Sequence, residues 1–395
     1  MIVRSTSGLV AATSDGGPMH SARPKPIHLL CGRAMASYVL DTLDSVGVRQ
    51  AVVVTGPNGG RVSKRLLEEP PEFRIRFVEQ KHNLGGGDAA LIGLNSFDDV
   101  DNDNDDVVIV PADLPLLQPK TVEHLLAVHR ATDAACTVLT AAIDHPLATA
   151  AADRVGAGEI TRDRFGRVQG IVNNYDLFQP EPPRPGRRGQ SAGNGDDTTT
   201  SEGGDHGREI ALGVMCVRRS LLAPALRRCS YDETTGKLAM TGVVAVLAES
   251  GHSCETAVVE EVGDLIPVDD RVQLADAEAE LRRRTNQHWL SRGVTMVDPD
   301  HTYLDATVTL GIDVTIFPGT ILQGTTTVGD GCELGPNVHL DRCQVGENTR
   351  LAHTTASLTT IGSNCVVGPF AALSPGCAIA DGTTTGAFYA GNDNA

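Results

Sequence analysis

LDATVTLGIDVTIFPGTILQGTTTVGDGCELGPNVHL, running from Leu304 to Leu340, carries seven aliphatic residues at six-residue intervals: Leu304, Leu310, Ile316, Leu322, Val328, Leu334 and Leu340. Glycine directly follows three of them. A second run, Ile361, Val367, Leu373 and Ile379, repeats the interval in another register after an interruption. A hexapeptide period marks a β-helix, whereas an α-helix would repeat at about 3.6 residues. Each short strip offers one inward aliphatic that it cannot bury alone, and stacking the strips makes these residues a continuous axial core. The spacing therefore predicts a β-solenoid over the last part of the chain.

The chain has 395 residues, which exceeds one ordinary core, and its 41% hydrophobic content suits a globular protein. A formal charge of −17 argues against a nucleic-acid backbone as partner, since that needs clustered Lys and Arg. The nine cysteines stand singly with no metal-binding spacing, so they read as reduced, mostly structural thiols. No apolar stretch nears the roughly 18 residues of a membrane span, and no leader-like segment opens the chain. A cytoplasmic location without membrane attachment is expected.

Upstream of the solenoid, short apolar runs alternate with helical patterns: Gly8–Ala12, Met35–Ser45, Gln50–Thr55, Val107–Pro111, Thr121–His129 and Ala135–Ala141. That alternation predicts a mostly parallel, doubly wound α/β sheet. The segment Gln179–Arg208 is rich in Pro, Gly, Ser, Thr and charge, and reads as a disordered insertion between strands Val168–Val172 and Ile210–Val217. The acidic run Asp98–Asp106 reads as a solvated loop. From Asp269 to about Ser291, Val272, Leu274, Leu281 and Leu290 suggest an amphipathic helix opened by an Asp cap, with Arg282–Arg284 on a solvated face. The expected domains are 1–267, a connecting helix at 268–292, and the solenoid at 293–395.

In an open parallel sheet, ligands bind beyond the carboxyl ends of the strands. Three segments fall there. ATSDGGPMHSARPKP, from Ala12 at the end of the first strand, brings Gly16, Gly17 and then Lys25 toward phosphates. EQKHNLGGGDA places Gly85, Gly86 and Gly87 at the start of a helix. In VVIVPADLPLL a strand ends at Asp113, a candidate Mg²⁺ ligand because Mg²⁺ takes one or two carboxylates plus phosphate oxygens.

Together with the solenoid, these segments resemble the bacterial bifunctional N-acetylglucosamine-1-phosphate uridyltransferase and glucosamine-1-phosphate acetyltransferase family, actinobacterial members in particular. The resemblance covers nearly the whole chain and is densest from VDDRVQLADAEAELRRR into the first coils. It implies a Rossmann-like nucleotidyltransferase domain before a left-handed β-helix that assembles as a homotrimer. It also implies UTP and N-acetylglucosamine 1-phosphate as substrates, Mg²⁺ as cofactor, and a role in cell-wall synthesis. Carried over by motif, Lys25 is the catalytic lysine. Ala11, Ala12, Gly16, Gly17, Gln80, Asn83, Gly85, Gly86 and Gly87 bind nucleotide, with the Gln80 and Asn83 amides on the base. Asn173 and Glu209 contact substrate, and Asp113 and Asp269 hold the metal.

The departures bear on activity. Where the family reads LAAGxGTRM, this chain has AATSDGGPM, with Ser14 at the first glycine and Pro18 at the arginine that neutralises the transferring phosphoryl group. A cationic finger is worth about 10³-fold or more in other phosphoryl transfers; His20 and Arg23 are the nearby candidates to replace it. Gly86 replaces a threonine, Asn173 a glutamate, Ala211 an asparagine and Ser374 an arginine. The chain reaches GAFYAGNDNA before the coils that carry the family's catalytic histidine, so no acetyl transfer is expected. Three readings stand: a nucleotidyltransferase of reduced activity; a catalytically silent paralogue that binds nucleotide sugar, or the active enzyme through its β-helix, as a regulator or scaffold; and, third and weaker, activity on a different nucleoside triphosphate or sugar.

Overall fold

The computed structural model describes residues 4–17, 19–57, 59–97, 105–142, 158–173, 208–233, 235–259 and 261–391. The chain forms two compact units, one of Met1–Ile27 with Ala36–Val268, the other of His28–Met35 with Asp269–Ala395. In chain order the first eleven strands are β1 (Thr6–Ala12), β2 (Leu29–Leu30), β3 (Arg33–Ala34), β4 (Gln50–Thr55), β5 (Arg74–Glu79), β6 (Asp106–Pro111), β7 (Cys136–Ala142), β8 (Gly158–Arg162), β9 (Val168–Asn173), β10 (Glu209–Arg218) and β11 (Cys254–Val258).

The first unit is built on a sheet of order β11-β7-β10-β6-β1-β4-β5, with the β8–β9 hairpin attached to β10. Its β6-β1-β4-β5 part is parallel, Leu9 pairing with Val52 on one side and Ile109 on the other. These strands carry runs such as AVVV and VVIV because both sheet faces are covered. The helices are α1 (Met35–Ser45), α2 (Gly59–Leu66), α3 (Gly86–Leu94), α4 (Pro119–Ala131), α5 (Arg219–Arg228) and α6 (Gly242–Glu249). The core joins Leu9, Val54, Ala89, Ala90, Ile109, Val138, Met215 and Val244. Strand β10 runs antiparallel to β6 and β7, with a register shift between Ala211 and Met215.

Two expectations need correction here. The acidic run was expected to be solvated. Residues 98–104 lie outside the described residues, but Asp105 and Asp106 are buried where β6 begins. There Asp106 meets His129 Nε2 at 3.3 Å and the guanidinium groups of Arg4 and Arg130 at 3.8 Å, so opposite charge compensates its desolvation. Of the expected insertion, 179–207 lies outside the described residues, and Arg208 is held by a fork to both Glu159 oxygens at 2.6 and 2.7 Å.

The second unit contains the β2–β3 hairpin, helix α7 (Arg271–Leu290) and the solenoid. Asp270 caps α7, its carboxylate accepting from the N–H groups of Val272 and Gln273. The buried stripe of α7 is Ala277, Leu281 and Asn286. Val272 and Leu290 are exposed, contrary to expectation, and at the C-terminal end it is the neighbouring Trp289 that packs against the solenoid core. The arginine cluster is only partly solvated: Arg283 and Arg284 bind Glu280, and Arg282 lies over the Tyr303 ring at 4.9 Å.

The solenoid is a left-handed parallel β-helix whose short strands stack into three parallel sheets. All eleven aliphatics of the two runs are buried in one core. The expected interruption between Leu340 and Ile361 does not exist. Val345, Leu351 and Ala356 continue the inward row, and the steps to Val345, Ala356 and Ile361 are five residues long instead of six. Register survives because the missing residue comes out of a turn, where Arg342, His353 and Leu358 take the left-handed φ of 52°, 46° and 50°. A second inward position, two residues before each aliphatic, is filled by Val, Thr, Ala or Cys. Cys332, Cys343, Cys365 and Cys377 occupy it, buried and free of disulfides. Buried threonines in that slot donate to carbonyls of the coil wall, as Thr326 does to Gln323 at 2.6 Å. None of the described helices is long and apolar enough to cross a membrane.

Candidate active site

The loop after β1 turns back tightly, with N–H bonds from His20 to the Gly17 carbonyl (2.9 Å) and from Ser21 to the Gly16 carbonyl (3.0 Å). Gly16 is required there, because a Cβ would lie 2.0 Å from the Ser21 oxygen. The loop faces the turn after β4, where a Cβ on Gly56 would meet the Thr13 carbonyl at 2.5 Å. Between them lies a cavity of about 290 Å³ lined by Ala12, Ser14, Asp15, Gly17, Pro57 and Val62 among others. Ala12, Gly16 and Gly17 thus line one cavity, with Ala11 beside them on β1. The Gly17 N–H is already given to the Asp15 carboxylate at 2.9 Å. Pro18 lies outside the described residues. His20 and Arg23 are both exposed.

Lys25 opens a short 3₁₀ turn at the end of this loop and is 3% exposed. Its ammonium lies 2.5 Å from Asp113 Oδ2. Asp113 follows β6, held by the Val268 N–H on its carbonyl (2.9 Å), while the preceding Ala112 N–H reaches Ala11 (3.0 Å). Asp113 Oδ1 is buried with no hydrogen-bond partner. Asp269 belongs to the second unit, where its N–H donates to Gln273 Oε1 at 2.6 Å. Among the described residues no group of three or more His, Cys, Asp or Glu side chains could hold a metal. Asp113 nonetheless suits Mg²⁺, which needs few carboxylates when phosphates complete its shell, and its unspent oxygen is an acceptor of the right kind.

The second glycine loop differs from the expected open cradle. Gly85 has φ +94° and packs so closely on Leu238 that a Cβ would meet its carbonyl at 2.6 Å. Gly87 donates its N–H to that carbonyl at 2.9 Å, and Gly85 gives its N–H to Asn83 Oδ1 at 3.4 Å. Both donors are consumed within the protein. Gln80 is 1% exposed. Its Nε2 donates to the Gly85 carbonyl (3.1 Å) and to Asp88 Oδ2 (2.7 Å), leaving Oε1 buried and unpartnered.

Across the sheet, Asn173 on β9 and Ala211 on β10 are each in register with Gly158. Glu209 stands near them, but its carboxylate is spent: Oε1 accepts from Arg162 and Oε2 from Thr140, each at 2.7 Å. Its place is that of a strand-fastening residue. Arg61 was not among the sequence candidates. From the first turn of α2 it donates Nη1 to the Ala22 carbonyl at 2.7 Å and so fastens the cavity loop. The signal was available in GPNGGR, a glycine-bearing turn at the carboxyl end of a parallel strand.

The MobA-like NTP transferase domain family matches residues 9–240. The bifunctional protein GlmU of Streptomyces avermitilis is 35% identical over 375 residues, covering 95% of this chain and 70% of that protein. This chain belongs to the GlmU family. GlmU of Heliobacterium modesticaldum is 31% identical over 382 residues, covering 97% of this chain and 75% of its own length. GlmU of Mycobacterium tuberculosis is 34% identical over 386 residues, covering 97% and 71%. The first unit of this GlmU-family chain therefore carries the NTP transferase domain, and its second unit is the parallel β-helix.

Proposed function

We propose that the first unit transfers a uridylyl group from UTP to N-acetylglucosamine 1-phosphate, releasing pyrophosphate, in a Mg²⁺-dependent step of cell-wall precursor synthesis. The observation that carries this reading is the meeting of Lys25 and Asp113, both retained from the family's motifs, beside the loop that closes the 290 Å³ cavity. Asp113 and, by its place in PVDDR, Asp269 would hold the metal, which supplies neutralising charge on the phosphates. The sugar phosphate oxygen attacks the α-phosphorus, so no side chain need act as nucleophile. Lys25 offsets the charge that grows in the transition state. The orphaned Gln80 Oε1 is an acceptor suited to the imide N–H of uracil, and this supports UTP. Arg61 keeps the cavity loop in place. For the solenoid, Ser374 in place of the family's arginine counts against acetyl transfer, and the stacked coils offer a surface for homotrimeric assembly.

A second reading, that of a silent paralogue binding nucleotide sugar, draws support from Pro18, Gly86, Asn173 and Ala211. It is also favoured by loop donors already spent on Asp15 and Leu238. Pyrophosphate release from UTP, N-acetylglucosamine 1-phosphate and Mg²⁺ tests the first reading. Turnover is expected, and Pro18→Arg should raise it by about 10³-fold if only the missing cation limits the rate. No turnover by either protein, with UDP-N-acetylglucosamine still binding, would establish the second.

A further inference from the structure

The Asp113 carboxylate is half satisfied. Lys25 sits on Oδ2 at 2.5 Å, while Oδ1 is buried and accepts nothing. An unspent buried acceptor is costly, so this carboxylate is built to receive a further donor or cation. Both residues are set by backbone: Lys25 within the turn Lys25–Ile27, Asp113 through the Val268 bond to its carbonyl. The ammonium thus stands in contact with an oxygen that a divalent ion would need. Two cations at contact distance on one carboxylate repel each other, and the repulsion is poorly screened where the lysine is buried.

We propose that Lys25 is the resident counter-ion of Asp113 in the nucleotide-free protein and competes with the divalent cation for this carboxylate. The cation takes Asp113 weakly while Lys25 stays there and strongly once an incoming phosphate draws Lys25 away. Nucleotide and metal consequently bind with positive coupling, each raising the affinity of the other by the same factor. Metal alone binds weakly. The proposal deepens and rests on the nucleotidyltransferase reading, and it concerns how the site is loaded.

The test is a Mn²⁺ titration of the full chain without nucleotide, free Mn²⁺ being read by electron paramagnetic resonance, for wild type, Lys25→Gln, Lys25→Arg and Asp113→Asn. Lys25→Gln is expected to bind Mn²⁺ about tenfold tighter than wild type, equivalent to ~1.4 kcal/mol. Lys25→Arg, which keeps the competing charge, should remain as weak as wild type, and Asp113→Asn should lose the site. A merely structural lysine would not give tighter metal binding on removal. If Lys25→Gln binds no tighter while Asp113→Asn abolishes binding, the competition is refuted and the metal site stands. If Asp113→Asn binds like wild type, the metal reading itself fails, and this proposal with it. Should Lys25→Gln not fold, wild-type protein carrying ¹³C at lysine Cε provides the check. Saturating Mg²⁺ must shift the signal that Lys25→Arg lacks, and an unmoved signal overturns the proposal.

Discussion

Asn173 and Ala211 are register partners of the same residue, Gly158, on the two strands that flank β8. Two positions 38 residues apart in the chain, both departing from the family's sugar-contacting residues, therefore lie at one level of the sheet. Ala211 is 1% exposed, so its side chain leaves no polar group there. Ala211→Asn is expected to raise kcat/KM for N-acetylglucosamine 1-phosphate about tenfold, the worth of one good hydrogen bond. It should also destabilise the sugar-free protein by about 1–3 kcal/mol. Pyrophosphate kinetics and thermal melts check both, and a lower Tm with no kinetic gain would place sugar recognition elsewhere.

Glu209 tests the separation of fastening from binding. Its carboxylate joins Arg162 and Thr140, and Arg162 also reaches Thr256 at 2.8 Å. Glu209→Ala should cost about 1–3 kcal/mol by leaving the half-buried arginine without its carboxylate, while KM for the sugar phosphate moves less than about twofold. A large rise in KM at unchanged Tm would instead give Glu209 the substrate role that its motif suggested.

The solenoid core makes a steeper prediction. Leu334 is fully buried, stacked in register between Ile316 and Leu351. Leu334→Ala is expected to destabilise the second unit by about 2–5 kcal/mol, from lost burial plus the cavity left behind. Urea unfolding followed by circular dichroism measures it.

At the shortened turns the expected sign reverses. Leu358 is 48% exposed and holds φ 50°, a conformation that a bulky residue adopts at a cost of about 1–2 kcal/mol. Asparagine tolerates it better. Leu358→Asn should therefore stabilise the chain by up to about 1 kcal/mol, seen as a higher Tm. A destabilised variant would mean that the leucine side chain does more than its exposure indicates.

A pH dependence follows from α7. Hydrogen bonds from Arg283, aided by Arg284, hold Glu280 at about 2, below its ordinary 4.5. A depressed carboxylate stabilises the fold above its unfolded value and loses that contribution as pH falls from about 4.5 toward 2. These are solvent-screened helix pairs, each worth about 0.3–0.5 kcal/mol. Melting curves of wild type and Glu280→Gln should differ by a small margin at neutral pH and converge through that window.

Much of the molecule was legible because its signals are local. The stretch Met35–Ser45 shows a helical period and Gln50–Thr55 a buried-strand run, and both lie where the residues indicate. The solenoid was legible from its period, and the supposed break was misread only because shortened turns shift the period without breaking the stack. Asp106 was misread because an acidic run says nothing about Arg4, Arg130 and His129, which neutralise it from other parts of the fold. The glycine loop Gly85–Gly87 was misread because Leu238, which takes its N–H, lies some 150 residues onward.

By itself, the sequence determined the two architectures and the family, since these reside in spacing and residue type. Only the tertiary structure decided which donors and carboxylates are already spent. Hydrogen bonds and ion pairs depend on distances between remote segments, and no pattern along the chain encodes that Lys25 rests on Asp113 or that Glu209 is taken by Arg162.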